Sequence, residues 1–347
     1  MRALAVLCLR NEAAFLLEWL AHHRAVGFTD FLVFSNDCQD GTDALLDRLA
    51  ALGYLTHERN DGPHDGGIQW SALKRADKHP LVRDADWIMA LDIDEFVNIH
   101  TGDHRIGDLL AALPEATAIT LTWRLFGNCG VERFTDRPIT EQFLRAAPRL
   151  MNWPWRAAMF KTLFRNDGTY RKLGVHRPRS PQPDRLDQAR WFDGTGRELD
   201  ARFKRQQIFS PFGRDNYALV QLNHYPLGAM ESYIVKCDRG RAVHDADRLG
   251  MSYWTERNWC CEPDDSILAL KAARDRELAM LKSDAPIATL HEKAVAWRRA
   301  RFDSLMQDEP NRALYGRLLM TPPARPVSQD SARRLFAFAQ TARRSRN

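Results

Sequence analysis

No stretch of this chain offers the run of about 18 apolar residues that a membrane-crossing helix needs. The apolar start, Met1 to Leu9, is short and is broken by Arg10-Asn11-Glu12, so it lacks the charged leader and long apolar centre of a signal peptide. Neither G-x-G-x-x-G nor G-x-x-x-x-G-K-[ST] occurs, which removes the usual dinucleotide-binding and P-loop readings. Charge of one sign is missing too. The 50 Lys and Arg against 45 Asp and Glu leave a formal net charge of +5, too little for a bulk polyanion binder, and no nucleic-acid partner is expected. Cysteine is sparse, with six residues at 8, 38, 129, 237, 260 and 261 and no C-x-x-C pair. That usage predicts free thiols in a reducing compartment, and Cys260-Cys261 lacks the second pair a zinc site would need. These absences together predict a cytoplasmic chain.

What is present is ample apolar content, 44% of residues, and a first hundred positions that alternate between two periodicities. Ala3 to Leu9 is a continuous apolar run, as in a strand buried on both faces. Asn11 is placed to cap a helix running to Val26, with Phe15, Trp19, Leu20 and His23 on one stripe and Gly27 at its end. Asp30 to Ser35, Tyr54 to Glu58 and Trp87 to Leu91 read as further strands; Thr42 to Leu52 and Ile68 to Lys78 read as helices between them. The series predicts an α/β fold whose mainly parallel, Rossmann-like sheet is flanked by helices and takes ligands at the carboxyl ends of its strands. Further on, Ala118 to Trp123, Met159 to Arg165 and Tyr217 to Leu222 read as strands, Pro178 to Arg214 as a long loop or excursion, and the chain from Gly228 onward as helical. The predicted division is a main α/β unit over residues 1–245, a helical extension over 246–320 and a basic amphipathic tail over 321–347.

Asp92-Ile93-Asp94, a D-x-D pattern, follows the fourth strand directly. Alternation in an extended run puts both aspartates on one side, with Ile93 turned to the core. Two carboxylates at a strand's carboxyl end suit a hard divalent cation, Mn2+ or Mg2+, which takes oxygen ligands and keeps positions open for phosphate and water. A solvated strand terminus would carry the same triplet. Arg10-Asn11-Glu12 and Asn36-Asp37 end the first two strands, where they could accept the hydroxyls and base edge of a nucleotide, or cap a helix and close an Asx-turn. Trp123, Trp153, Trp155 and Phe160 are candidates for stacking on sugars and equally for core packing. In the tail, Leu335, Phe336, Phe338 and Ala339 stand among arginines. That pattern fits peripheral contact with an anionic membrane, where a lipid-linked acceptor would lie, or an ordinary solvated helix.

Taken in order, several segments resemble the family 2-like glycosyltransferases, particularly the branch related to family 92. They are Arg10-Asn11-Glu12, Glu18-Trp19-Leu20 with His23, Val26-Gly27-Phe28, Ser35 to Thr42, and Leu91 to Phe96. Phe126-Gly127-Asn128, Gly174 to Pro178, Asn223 to Pro226, and Glu231-Ser232-Tyr233 with Lys236, Arg239 and Gly240 continue the likeness, which covers roughly residues 3 to 245. Cys38 departs from the small polar residue common there. The resemblance implies a GT-A fold, a nucleotide-diphosphate sugar donor (UDP-linked), Mn2+ or Mg2+ bridging its phosphates, and inverting transfer to a saccharide or lipid-linked acceptor in polysaccharide or glycan biosynthesis. By matching positions it implies Asn11, Glu12 and Asp37 near the nucleoside, with Arg10 and Asn36 in the same donor-binding group. It implies Asp94 as a metal ligand, Asp92 shared between metal and ribose, and a histidine ligand: His224, or His176 as the alternative. Lys236, Arg239 and Arg241 follow His224 and suit a diphosphate. The base that an inverting reaction needs is expected among Glu132, Asp136 and Glu141, which the sequence does not rank. A nucleotidyltransferase and a non-catalytic carbohydrate- or nucleic-acid-binding protein are the competing readings.

Overall fold

The computed structural model describes residues 1–64, 66–211, 213–239 and 249–344. Gly240 and Arg241, which the sequence sets beside Lys236 and Arg239, lie outside the described residues. The apolar runs form the strands they predict: β1 (Ala3–Leu9), β2 (Asp30–Ser35), β3 (Thr56–Arg59) and β4 (Trp87–Leu91) are parallel, in the order β3-β2-β1-β4. Helices α1 (Ala13–Val26), α2 (Thr42–Ala51) and α3 (Ile68–Ala76) lie between successive strands, as parallel neighbours require. Both faces of β1 are buried, Ala3, Ala5 and Leu7 in one apolar cluster and Leu4 and Val6 in another, which is why its sequence runs apolar without alternation.

Further along, β5 (Glu95–Ile99), β6 (Ala118–Leu125), β7 (Phe160–Arg165), β8 (Trp191–Phe192) and β9 (Val220–His224) complete a nine-stranded mixed sheet. Its main path runs β3-β2-β1-β4-β7-β6-β9-β5, and β8 pairs with the start of β6. β7 is antiparallel to β4 and β6, and β5 is antiparallel to β9. β4 and β5 follow each other in the chain, yet three strands lie between them. Only Asp92-Ile93-Asp94 joins them, and the four Cα steps from Leu91 to Glu95 reach about 14 Å at most, short of the width of three intervening strands. The sheet therefore curls into a half-barrel, with the acidic triplet at the seam.

Helix α4 (Met230–Arg239) follows β9, and α5 (Lys271–Lys282), α6 (Ala285–Leu305), α7 (Glu309–Met320) and α8 (Gln329–Arg344) form the C-terminal part. Nearly every side of α1 is buried because the sheet lies on one side of it and α5 and α6 pack on the other. Gly27 ends α1 in the left-handed region at φ 110°, its N–H shared between the carbonyls of His23 and Arg24.

Four expectations are corrected. Asn11 does not cap α1: it sits at φ 53° and its Oδ1 accepts the Gln39 N–H at 2.7 Å, while Glu12 takes the cap position. Pro178 to Arg214 is more than a loop, since Leu186, Trp191, Leu199 and Phe203 fill the second core. Asp92 to Asp94 form a turn rather than an extended run, Asp92's carbonyl accepting the Glu95 N–H at 3.1 Å. The six thiols are not all free: Cys129 and Cys260 form a disulfide. Gly127 brings them together, because its turn lies so close to the Trp259-Cys260 backbone that a Cβ there would stand 2.4 Å from the Trp259 carbonyl oxygen. Among the described residues no helix is long and apolar enough to cross a membrane.

Candidate active site

The turn at the seam is held from below. The Trp19 indole N–H, offered by α1, is shared between the carbonyls of Asp92 at 3.2 Å and Glu95 at 3.1 Å. The Glu95 side chain folds back into the core, where it accepts the Asp92 N–H at 2.8 Å and the Trp123 indole N–H at 2.7 Å. Lys161, on β7 and fully buried, places its ammonium 3.0 Å from Asp92 and 3.3 Å from Glu95. Burial works against that ammonium, but the two carboxylates outweigh it and hold Lys161 above its ordinary range. Glu95 goes the other way: burial first, then the neighbouring Asp92 and Asp94, push its carboxyl up against the pull of Lys161.

The turn sends its two aspartates to different partners. Asp92 accepts from Gln69 at 3.0 Å through one oxygen and from Lys161 through the other, so both are committed. Asp94 accepts from Lys236 of α4 at 2.7 Å through Oδ2, and its Oδ1 faces His224 Nε2 at 3.6 Å. Burial disfavours the Asp94 charge, yet Lys236 and His224 overcome it and hold the carboxyl well below the usual carboxylate range. Burial works against the His224 charge while Asp94 supports it, and burial prevails, lowering the imidazole below its ordinary range. Its ring packs on Trp123 at 4.4 Å, and its Nδ1 is buried with no hydrogen-bond partner.

Asp92, Asp94, His224, His176, Lys236, Arg239, Arg10 and Asn36 all line one cleft of about 470 Å3 at the carboxyl ends of β1, β2 and β4. Arg239 is fixed by Glu12 at 2.7 Å and by the Arg10 carbonyl at 2.8 Å. His176 donates its Nδ1–H to the Phe160 carbonyl at 3.0 Å and sits edge-on to Trp123, and burial lowers it to about 4.

Other candidates stand behind the cleft or away from it. Asn11 and Asp37 brace loops: Asp37, at φ 42°, receives the Asn36 side-chain N–H at 3.1 Å. Glu12 lies between Arg239 and Arg298, at 2.7 and 3.5 Å. The three base candidates do not reach the cleft. Asp136 accepts from His291 at 2.9 Å, Glu141 is held by Arg274 and Lys271, and Glu132 is exposed on the loop that receives the start of α4. The polar stretch they share follows β6 outward, which spacing along the chain does not reveal. Conversely, Lys161, Gln69, Arg156 and Arg257 belong to the site without having been singled out. A lysine inside the apolar run Met159 to Arg165 is the one signal that points to a buried acidic partner. Among the described residues no three His, Cys, Asp or Glu side chains converge as a metal-holding group.

The family model described as Glycosyltransferase family 92 matches residues 6–190. A glycosyltransferase family 92 protein of Oryza sativa subsp. japonica is 24% identical over 139 residues, 38% of this chain and 22% of that one. A second, from Ricinus communis, is 26% identical over 98 residues, 27% of this chain and 16% of that one. The chain thus spans less than a quarter of the length of either relative. Among solved structures, S. aureus TarS 1–349 in complex with UDP has a TM-score of 0.33 at 14% identity, covering 88% of this chain and 92% of that one. Glucosyl-3-phosphoglycerate synthase from Mycobacterium tuberculosis, in complex with Mn2+, UDP and glucosyl-3-phosphoglycerate, has a TM-score of 0.25 at 18% identity over 35% of this chain and 44% of that one. With the family model covering more than half of the chain, on a curled mixed sheet flanked by helices as the GT-A fold requires, this protein belongs to glycosyltransferase family 92.

Proposed function

We propose that this protein transfers a sugar from a nucleotide-diphosphate donor, UDP-linked, to a saccharide or glycoconjugate acceptor, in the building of a polysaccharide or glycan. The observation that carries the reading is the convergence of Asp94, His224 and Lys236 in one cleft at the end of β4. Asp94 Oδ1 and His224 Nε2 stand 3.6 Å apart, an oxygen and an imidazole nitrogen close enough to serve one divalent ion. The two residues would hold Mn2+ or Mg2+ as a pair. A divalent ion held there supplies positive charge against the leaving diphosphate.

The chain's own groups do the rest. Lys236 and Arg239 grip phosphate oxygens, Arg239 with a guanidinium already oriented by Glu12 and the Arg10 carbonyl. Asp92, oriented by Gln69 and Lys161, would be shared between the ion and the ribose. Arg10 and Asn36 border the nucleoside, and Trp123 forms the wall behind the sugar. Asn11, Glu12 and Asp37 support this surface from behind.

A thermal-shift series of nucleotide sugars, each with and without Mn2+, tests the reading. One donor should raise Tm, and more so with the ion present. Asp94→Asn should remove the Mn2+-dependent part of that shift and lower donor turnover by about 100-fold or more. Unchanged turnover and Mn2+ response in that variant would overturn the metal assignment. If no nucleotide sugar stabilises the protein with Mn2+ present, the donor assignment fails.

A further inference from the structure

Helix α8 stands apart from the rest of the molecule in how little of it is covered. A linker bearing Pro322, Pro323 and Pro326 leads into it, tethered where the Ala324 N–H donates to the Asn258 carbonyl at 2.7 Å. From Gln329 to Thr341 no residue of the helix is buried; Leu335, Phe336 and Phe338 are 37%, 51% and 65% exposed. Phe336 sits edge-on to Trp155 at 6.2 Å, and Trp155 in turn packs on Trp153 at 4.9 Å. A helix of 16 residues with so little packing is marginal in water, so a surface that takes its apolar side chains is missing.

The charge of the segment says what that surface is. Between Gln329 and Arg344 the sequence carries four arginines, at 333, 334, 343 and 344, and one acid, Asp330. We propose that α8 lies flat on an anionic lipid bilayer, with Leu335, Phe336 and Phe338 entering the interface and Arg333 and Arg334 facing the headgroups. A second copy of the chain would set arginines against arginines, and an uncharged apolar groove would leave them without counter-charge. Spanning is excluded for this helix, which is neither long nor apolar enough. Docked this way, α8 brings Trp155 to the bilayer, and the next residue, Arg156, lines the cleft. An acceptor anchored in the bilayer would meet the cleft at that rim. The proposal stands on the helix alone and survives or fails independently of the donor chemistry.

Flotation of the full chain with vesicles tests it, using phosphatidylcholine alone or phosphatidylcholine mixed with phosphatidylglycerol. Partitioning should be strong on the mixed vesicles, weak on the neutral ones, and reduced by added salt. Arg333→Glu with Arg334→Glu should lower it by more than about 25-fold, taking about fivefold per arginine removed. Phe336→Ser with Phe338→Ser should lower it by about tenfold or more. Both double variants should keep the melting temperature of the parent, because the changed side chains are exposed. Equal binding to neutral and anionic vesicles, or binding to neither, would overturn the proposal. Concentration-dependent self-association that the phenylalanine changes abolish, without vesicle binding, would assign the face to a second copy instead.

Discussion

Lys161 stands fully buried with its ammonium 3.0 Å from Asp92 and 3.3 Å from Glu95, and it opposes two carboxylates that the turn cannot move apart. Replacing it with methionine keeps much of the volume and removes the charge. The Glu95 carboxyl, already pushed up by burial, then keeps its proton, while Asp92 loses the donor on Oδ2. Breaking a buried pair in this way costs about 3–5 kcal/mol, so Lys161→Met should lower the urea midpoint by a corresponding amount. Adding Glu95→Gln removes the stranded acid and should recover part of the loss, at least about 1.5 kcal/mol of coupling in a double-mutant cycle. Strict additivity of the two changes would mean that Lys161 acts on Asp92 alone. Asp94 behaves differently, since Lys236 and His224 both favour its charge and leave it ionised at neutral pH.

Helix α1 brings Trp19, His22 and His23 against β5. His22 donates Nε2–H to the Val97 carbonyl at 2.8 Å, and His23 donates Nδ1–H to the Trp19 carbonyl at 2.8 Å while receiving the Val97 N–H at 3.4 Å. Burial lowers His22 from 6.5 to about 4 and, with His22 beside it, holds His23 well below its ordinary range. The unfolded chain therefore binds more protons than the folded one between about 4 and 6.5, so stability falls as pH drops through that window. Calorimetric melts across it should show the decline, and His22→Gln, which keeps a donor for Val97, should flatten it by about 1.4 kcal/mol per pH unit. An identical slope in the variant would mean that His22 titrates normally in the folded state. The apolar side of α1 is visible in the sequence, and so are β1, β2 and β4, because strands buried on both faces must be continuously apolar. β5 escapes notice for a physical reason. It begins after a three-residue turn and pairs with β9, more than 120 positions away, so nothing local marks it. The same turn is why strand alternation misplaces the two aspartates: a turn sends their side chains to different elements. Gln69 and Lys161, which hydrogen-bond Asp92, come from α3 and β7, and only the closed sheet brings them under it.

Across the whole molecule, the site depends on a contact between distant parts of the chain. The cleft takes Asp92 and Asp94 from the β4–β5 seam, His224 from β9 and Lys236 from α4. The start of α4 is fixed by Asn128, whose side chain donates to the Gly228 and Val131 carbonyls at 2.7 Å each, while its own N–H donates to Asn258 at 2.9 Å. Beside it, the Cys129–Cys260 disulfide ties the turn after β6 to the segment that enters the C-terminal helices, 131 residues later. A cross-link over so long a span restricts the unfolded chain strongly, and its loss costs about 2–5 kcal/mol in most domains. Cys129→Ser with Cys260→Ser should therefore lower Tm. A reductant should do the same to the parent protein and leave the double variant unchanged. Because the bond lies one residue from the Asn128 bridge, the variant should also lose donor-induced stabilisation to a greater degree than its Tm change alone explains. Peptide mapping without reduction gives the direct check: a single linked peptide containing Cys129 and Cys260 is expected. Two free thiols there, with a melting temperature indifferent to reductant, would show that the Gly127 turn and Asn128 hold α4 in place without the bond.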